Sequence, residues 1–142
     1  MALATKVSGT SIAYAAITGT FAVQTVVGLA LYDASTSGTL KWAGLLDIAR
    51  PIAPNDSLTL ASGVFKVTLG GASGGVIGDA EALAALDADF GAGSPATYYF
   101  ALMTAMPTGA GAGTEFTLSG SSSYVRTAKT NNATNFPNAS MV

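Results

Sequence analysis

The sequence predicts an all-β domain, an antiparallel sandwich or partly closed barrel with one short helix. Three observations carry that expectation. Short runs rich in Val, Ile, Tyr and Phe recur between clusters of Gly, Pro, Ser and Asn, the pattern of strands separated by turns. Residues 64–69 alternate, with Phe65, Val67 and Leu69 on one face, as a half-buried antiparallel strand does. Only residues 79–90 carry helical spacing.

Residues 11–18 and 24–33 read as two strands joined by a turn at Thr18-Gly19-Thr20. A Ser/Thr/Gly cluster at 34–39 then leads into a third strand over 40–46, a hairpin candidate. Pro51 and Pro54 break the next stretch, and Asn55-Asp56 marks a turn before the alternating Ser57-Leu58-Thr59-Leu60. The Gly-rich run at 70–78 reads as a flexible joint. Asp79 is placed to cap the helix, whose apolar positions are Ala80, Leu83, Leu86 and Phe90, and Gly91 to end it. Strands follow at 97–104 and 123–129, on either side of a Gly-rich loop from Pro107 to Thr114. Residues 131–142, with Asn131, Asn132, Asn135, Asn138 and Pro137, read as an irregular C-terminal arm of the single β-rich domain spanning 1–142.

Composition narrows function by exclusion. The 142 residues hold 6 basic and 8 acidic side chains, a net charge of −2, with neither His nor Cys. So weak and slightly acidic a charge offers nucleic acid no footing. Without His or Cys the common zinc sites, a thiolate nucleophile and a His-based triad are all unavailable. The expectation is therefore a protein that is not an enzyme and that takes no cofactor and no metal. Residues 7–32 carry no charge, yet their many Ser, Thr and Gly residues and the central turn argue against a membrane span. The N-terminus lacks the layout of a secretory signal.

Other candidate sites have ordinary explanations. Asp79, Glu81, Asp87 and Asp89 invite a calcium site or an acid/base pair, but acids at a helix start complement its dipole, and the spacing is not that of an EF-hand. The Gly-rich joint lacks the Gly-Lys-Ser/Thr of a phosphate loop. A Ser–Lys dyad would need Lys41, Lys66 or Lys129, all placed in solvent-facing strand positions. Trp42 with Tyr98-Tyr99-Phe100 could stack on sugars, although an apolar strand usually packs a core or interface. The Asn132-Ala-Thr134 and Asn138-Ala-Ser140 sequons matter only in a eukaryotic secretory pathway.

The global signal is apolarity. Strands 24–33 and 97–104 are apolar on both faces, and mean hydropathy is +0.45. A small domain has little interior for such strands, so the expectation is burial against other subunits, as a homo-oligomer. Val27, Leu29, Leu31, Tyr98, Phe100, Phe136 and Met141 are the candidate interface residues. Phe136 and Met141 would anchor the arm in pockets on a neighbour.

Two sets of motifs resemble small bacteriophage virion proteins of the tail-fibre or minor structural type. One is Pro95-Ala-Thr-Tyr-Tyr-Phe-Ala-Leu-Met-Thr104, Thr114-Glu115-Phe116, Ser123-Tyr124-Val125-Arg126-Thr127-Ala128 and Asn132-Ala-Thr-Asn-Phe-Pro137. The other is Val26-Val-Gly-Leu-Ala-Leu-Tyr-Asp-Ala34, Gly38-Thr39-Leu40, Ala43-Gly44-Leu45, Asp56-Ser-Leu-Thr-Leu-Ala61 and Val67-Thr68-Leu69. Their order is reversed relative to that family, which implies a circular permutation and chain ends that lie close together. The resemblance implies a virion location after synthesis in the host cytoplasm, and no catalytic residue. The expected role is a capsid-decorating cement protein, a homotrimer bound to major capsid protein; the alternative is a tail-fibre, baseplate or head-fibre module, with host glycans as a contact open to it.

Overall fold

The computed structural model describes residues 4–69, 78–108, 112–116 and 123–141; of the joint expected at 70–78, all but Gly78 lies outside them. In chain order the elements are β1 (Ala4–Val7), β2 (Ile12–Tyr14), β3 (Gln24–Tyr32), β4 (Leu40–Ile52), β5 (Leu58–Leu60), β6 (Lys66–Leu69), α1 (Asp79–Asp89), β7 (Thr97–Ala105), β8 (Thr114–Glu115), β9 (Thr127–Thr130) and β10 (Ser140–Met141). The fold is all-β with one short helix, and among the described residues no sheet closes into a barrel. No helix there is long and apolar enough to cross a membrane. The chain divides into two compact units, each assembled from separate stretches of sequence.

The first unit comprises Met1–Ser11, Leu60–Thr97 and Thr130–Val142. Its sheet runs β10-β1-β6, with Ala4 opposite both Met141 and Leu69. The N- and C-terminal strands are thus direct neighbours. Helix α1 packs against β1 and β10. Its N-cap is Gly78, one residue earlier than the sequence suggests, so Asp79 opens the helix instead of capping it. At the other end the helix stops as expected: Gly91 has φ +95, and a Cβ there would lie 2.9 Å from the Phe136 carbonyl oxygen. Only glycine fits that backbone and that space. Asn131, itself buried, fastens this turn by accepting the Gly91 N–H and donating to the Asp89 carbonyl oxygen at 3.0 Å.

Three rings fill the core of this unit. Phe90 and Phe136 are 5.4 Å apart between centroids, with Phe65 at 5.9 and 6.4 Å from them. Such pairs contribute about 0.5–1.5 kcal/mol each beyond the burial of their area. Phe136 belongs to the segment 131–142 that composition marks as an arm, and here it is buried within its own chain. Beside the rings, Lys6 is 1% exposed and its Nζ donates to Asp87 Oδ1 at 2.6 Å. The same oxygen accepts the Ala139 N–H at 2.8 Å. One carboxylate therefore ties strand, helix and C-terminal segment together.

The second unit comprises Ile12–Thr59 and Tyr98–Lys129. Its main sheet runs β4-β3-β7-β8, with β9 also pairing with β7, while β2 pairs with β5. The strand expected over 11–18 is shorter, Ile12–Tyr14; beyond it Ile17 exchanges backbone hydrogen bonds with Asn55 and Asp56. β3 and β7 lie side by side and are buried on both faces within the chain. Leu29 faces Leu102 and Leu31 faces Phe100, while Ala30, Ala101 and Met103 form a cluster backed by Tyr32 and Met106.

β4 departs most from expectation. It continues past 46 and through Pro51, which the sequence marks as a break. Proline is tolerated because β4, among the described residues, is an outer strand with a partner on one side only. Between Gly28, opposite Leu45, and Val26, opposite Arg50, the register slips. Leu46, Asp47, Ile48 and Ala49 therefore stand against Val27 alone, a large bulge.

Two measurements test this arrangement. Burial works to raise the Asp87 pKa, but the Lys6 and Ala139 hydrogen bonds outweigh it and hold the carboxyl below its ordinary 3.8. Stability from this group is then complete above about pH 4 and falls as pH drops through the lowered value. Thermal melting against pH is expected to show that acid loss in the native chain and a flatter limb in Lys6→Met. The adjacency of β1 and β10 makes a second prediction: a chain with its ends joined by a short linker and opened within 70–77 folds with unchanged circular dichroism. Loss of cooperative melting in that permuted chain would contradict it.

Candidate functional site

The second unit carries the most organised set of polar side chains, centred on Arg126. The strand expected over 123–129 begins only at Thr127, because side chains rather than a ladder fix residues 123–126. Arg126 donates from Nε to Glu115 Oε1 at 3.0 Å and from Nη2 to Oε2 at 2.7 Å, the paired fork that suits guanidinium and carboxylate. Its Nη1 donates to the carbonyl oxygens of Ala34 at 3.0 Å and Ser37 at 2.7 Å. The guanidinium carbon lies 3.9 Å from the centroid of the Tyr32 ring, a cation–π contact. The Glu115 hydrogen bonds raise the Arg126 pKa further above its ordinary value.

These bonds decide the shape of the β3–β4 turn. Ser37 sits at φ +53, a conformation uncommon for a residue with a side chain, and Arg126 holds its carbonyl. Within the turn Asp33 Oδ1 accepts the Thr39 N–H at 2.7 Å, which lowers the Asp33 pKa.

Tyr124 extends the network. Its hydroxyl accepts the Leu102 N–H at 3.0 Å and donates to Glu115 Oε1 at 2.8 Å. Its ring stacks on Tyr14 at 6.2 Å and meets Phe116 at 5.3 Å, and the Tyr14 hydroxyl donates to the Phe100 carbonyl oxygen at 2.6 Å. Burial pushes both phenols well above their ordinary 10.0.

Two clefts flank the segment 123–126. One, of about 480 Å³, lies between Ser35, Thr36 and Ser37 on one side and Phe116, Tyr124 and Val125 on the other. The second, of about 320 Å³, separates residues 13–18 from 123–127; Thr127 Oγ1 bridges it to the Ala13 carbonyl oxygen at 2.8 Å, and the Ser123 N–H to that of Thr18 at 3.0 Å. Chemically, the polar groups are committed to one another: the Glu115 oxygens accept from Arg126 and Tyr124, and the phenols stay protonated. The arrangement positions a turn and two strands. Among the described residues no three His, Cys, Asp or Glu side chains converge as a metal site.

The residues singled out from the sequence as an interface lie elsewhere. Leu29, Leu31, Tyr98 and Phe100 are buried in the second unit and Phe136 in the first, whereas Val27 is half-buried in β3. The structure brings together Leu31 and Phe100 as cross-strand partners. Met141 lies in β10, opposite Ala4. Sequence reasoning missed Glu115, Arg126 and Lys6; the available signal was that, in a chain so poor in charge, each ionic side chain inside an apolar strand needs a partner.

Residues 2–68 match a family model described as Podophage GP4 fiber I protein gp80. The chain is similar to a phage fibre protein. No curated protein and no solved structure matches it. The matched residues span β1 to β5 and nearly all of β6. The similarity supports a phage virion structural protein, consistent with a non-enzymatic one.

The Arg126 network makes a direct prediction. Arg126 is 7% and Glu115 27% exposed at the side chain, so Arg126→Ala leaves two carbonyls without their donor and a half-buried carboxylate with only the Tyr124 hydroxyl. The expected loss is about 3 kcal/mol in urea unfolding. Arg126→Lys restores the charge but not the fork and is expected to recover less than half. Full recovery by Lys would show that charge alone suffices.

Proposed function

We propose that this chain is a non-enzymatic structural module of a bacteriophage virion, built into a fibre. The observation that carries the reading is the match of residues 2–68 to the podophage fibre family. The structure is compatible with it in kind. Its ionic side chains at Lys6–Asp87 and Arg126–Glu115 are used to hold segments together, and its long strands β3 and β7 are bound side by side.

A capsid-decorating protein shares this virion context but differs in location and abundance. Immunogold labelling of intact particles, with antibody raised against the full chain, separates the two. Label confined to appendages is expected, together with low copy number by densitometry of purified virions. Label spread evenly over the head, at a copy number approaching that of major capsid protein, would replace the fibre reading with the decorating one.

A further inference from the structure

Met103 and Met106 are near neighbours in sequence with very different surroundings. Met103 lies in β7 opposite Gly28 of β3 and is fully buried, in the cluster it forms with Ala30 and Ala101. Met106 follows the end of β7, packs against that cluster and is half-buried. Two glycines build its seat. A Cβ at Gly28 would collide with the Met106 Sδ and lie 2.5 Å from the Gly44 carbonyl oxygen, so the thioether rests in the notch that the missing side chain leaves in β3. Gly113, at φ +70, comes so near the backbone that a Cβ there would lie 2.8 Å from the Met106 carbonyl carbon and 2.6 Å from the Pro107 nitrogen. One glycine thus admits the side chain of Met106 and the other fixes where its backbone lies.

We propose that Met106 is an oxidisable cover over Met103: hydrogen peroxide attacks the Met106 thioether first, and the sulfoxide formed there opens the buried cluster to a second oxidation. In each step a sulfur lone pair attacks one peroxide oxygen, the O–O bond breaks, and an S–O bond forms as water leaves. Sulfur is oxidised by two electrons and the peroxide is reduced. The reaction needs contact with oxidant in solution, which half-buried Met106 permits and Met103, in the native fold, does not.

The second oxidation follows from what the first does to the seat. Sulfoxide turns a flexible apolar side chain into a polar one, and a polar oxygen held against an apolar strand without a hydrogen bond is costly. The modified side chain therefore turns toward water and leaves the notch. Tyr32 and Met106 are the two half-buried side chains packed on the cluster. Tyr32 is held under the Arg126 guanidinium, 3.9 Å from the ring centroid, which leaves Met106 as the cover that moves.

The test treats the full chain with hydrogen peroxide and follows each methionine by peptide mass mapping. Met106 is expected to gain oxygen about tenfold faster than Met103, whose access needs local opening. Met103 should show a lag that ends as Met106 is consumed. The melting temperature should fall by about 5 °C in step with Met106 oxidation. Met106→Leu keeps an apolar cover without a thioether. In that variant Met103 should stay unmodified over the same interval and the melting temperature should hold, although Met1 and Met141 are still present. Met106→Ala removes the cover, and Met103 should then react without a lag. Equal oxidation rates at residues 103 and 106 of the native chain would overturn the proposal. So would oxidation of Met103 at its native rate in Met106→Leu, or a peroxide-induced loss of melting temperature that persists in that variant.

Discussion

The Arg126 guanidinium makes four hydrogen bonds to protein oxygens, and much of the second unit depends on where they go. Two bind the Glu115 carboxylate and two bind carbonyls in the β3–β4 turn, while the guanidinium lies over Tyr32. The segment 123–126 makes up for its lack of a regular ladder in this way. A lysine could satisfy the charge but not three segments at once, because its ammonium lacks the planar fork. The first unit uses the same device in reverse: a single carboxylate, Asp87, gathers Lys6 from β1 and the Ala139 N–H beside β10.

Scarcity of charge explains why these pairs carry so much. An unpaired ion taken from water costs several kcal/mol, so a chain with few ions that buries one must supply its partner locally. Lys6 is nearly inaccessible while Asp87 is 38% exposed; Arg126 and Glu115 show the same asymmetry. In each case one member stays in touch with solvent, which lowers the desolvation penalty of the pair. Such geometry resists loss of either partner, since removal strands the other.

Much of the strand content was legible from residue type. The spans 24–33 and 97–104 announce themselves by continuous apolar runs, and they become β3 and β7, neighbours in one sheet. Their two-sided apolarity invites the inference of subunit burial; in the structure Leu29, Leu31, Tyr98 and Phe100 are already covered within the chain. The pairs Lys6–Asp87 and Glu115–Arg126 were not legible, because they join residues 81 and 11 positions apart through folds that local pattern does not specify. Nor was the β4 bulge. Pro51 looked like a terminator because propensity counts the missing N–H as a loss, which vanishes on an edge where that N–H would point outward.

The reach of the family match gains meaning from the topology. Residues 2–68 supply β3 and β4 of one sheet and β1 and β6 of another. Both sheets are completed by later residues: β7 lies beside β3, and β10 beside β1. Lys6 lies inside the matched stretch and its partner Asp87 outside it, and the β3–β4 turn is inside while Arg126 and Glu115 are outside. The fibre-like half is therefore not a self-sufficient piece of structure. Without the remainder the β3 edge would lack β7 and Lys6 would lack Asp87, so neither sheet is complete within the matched stretch.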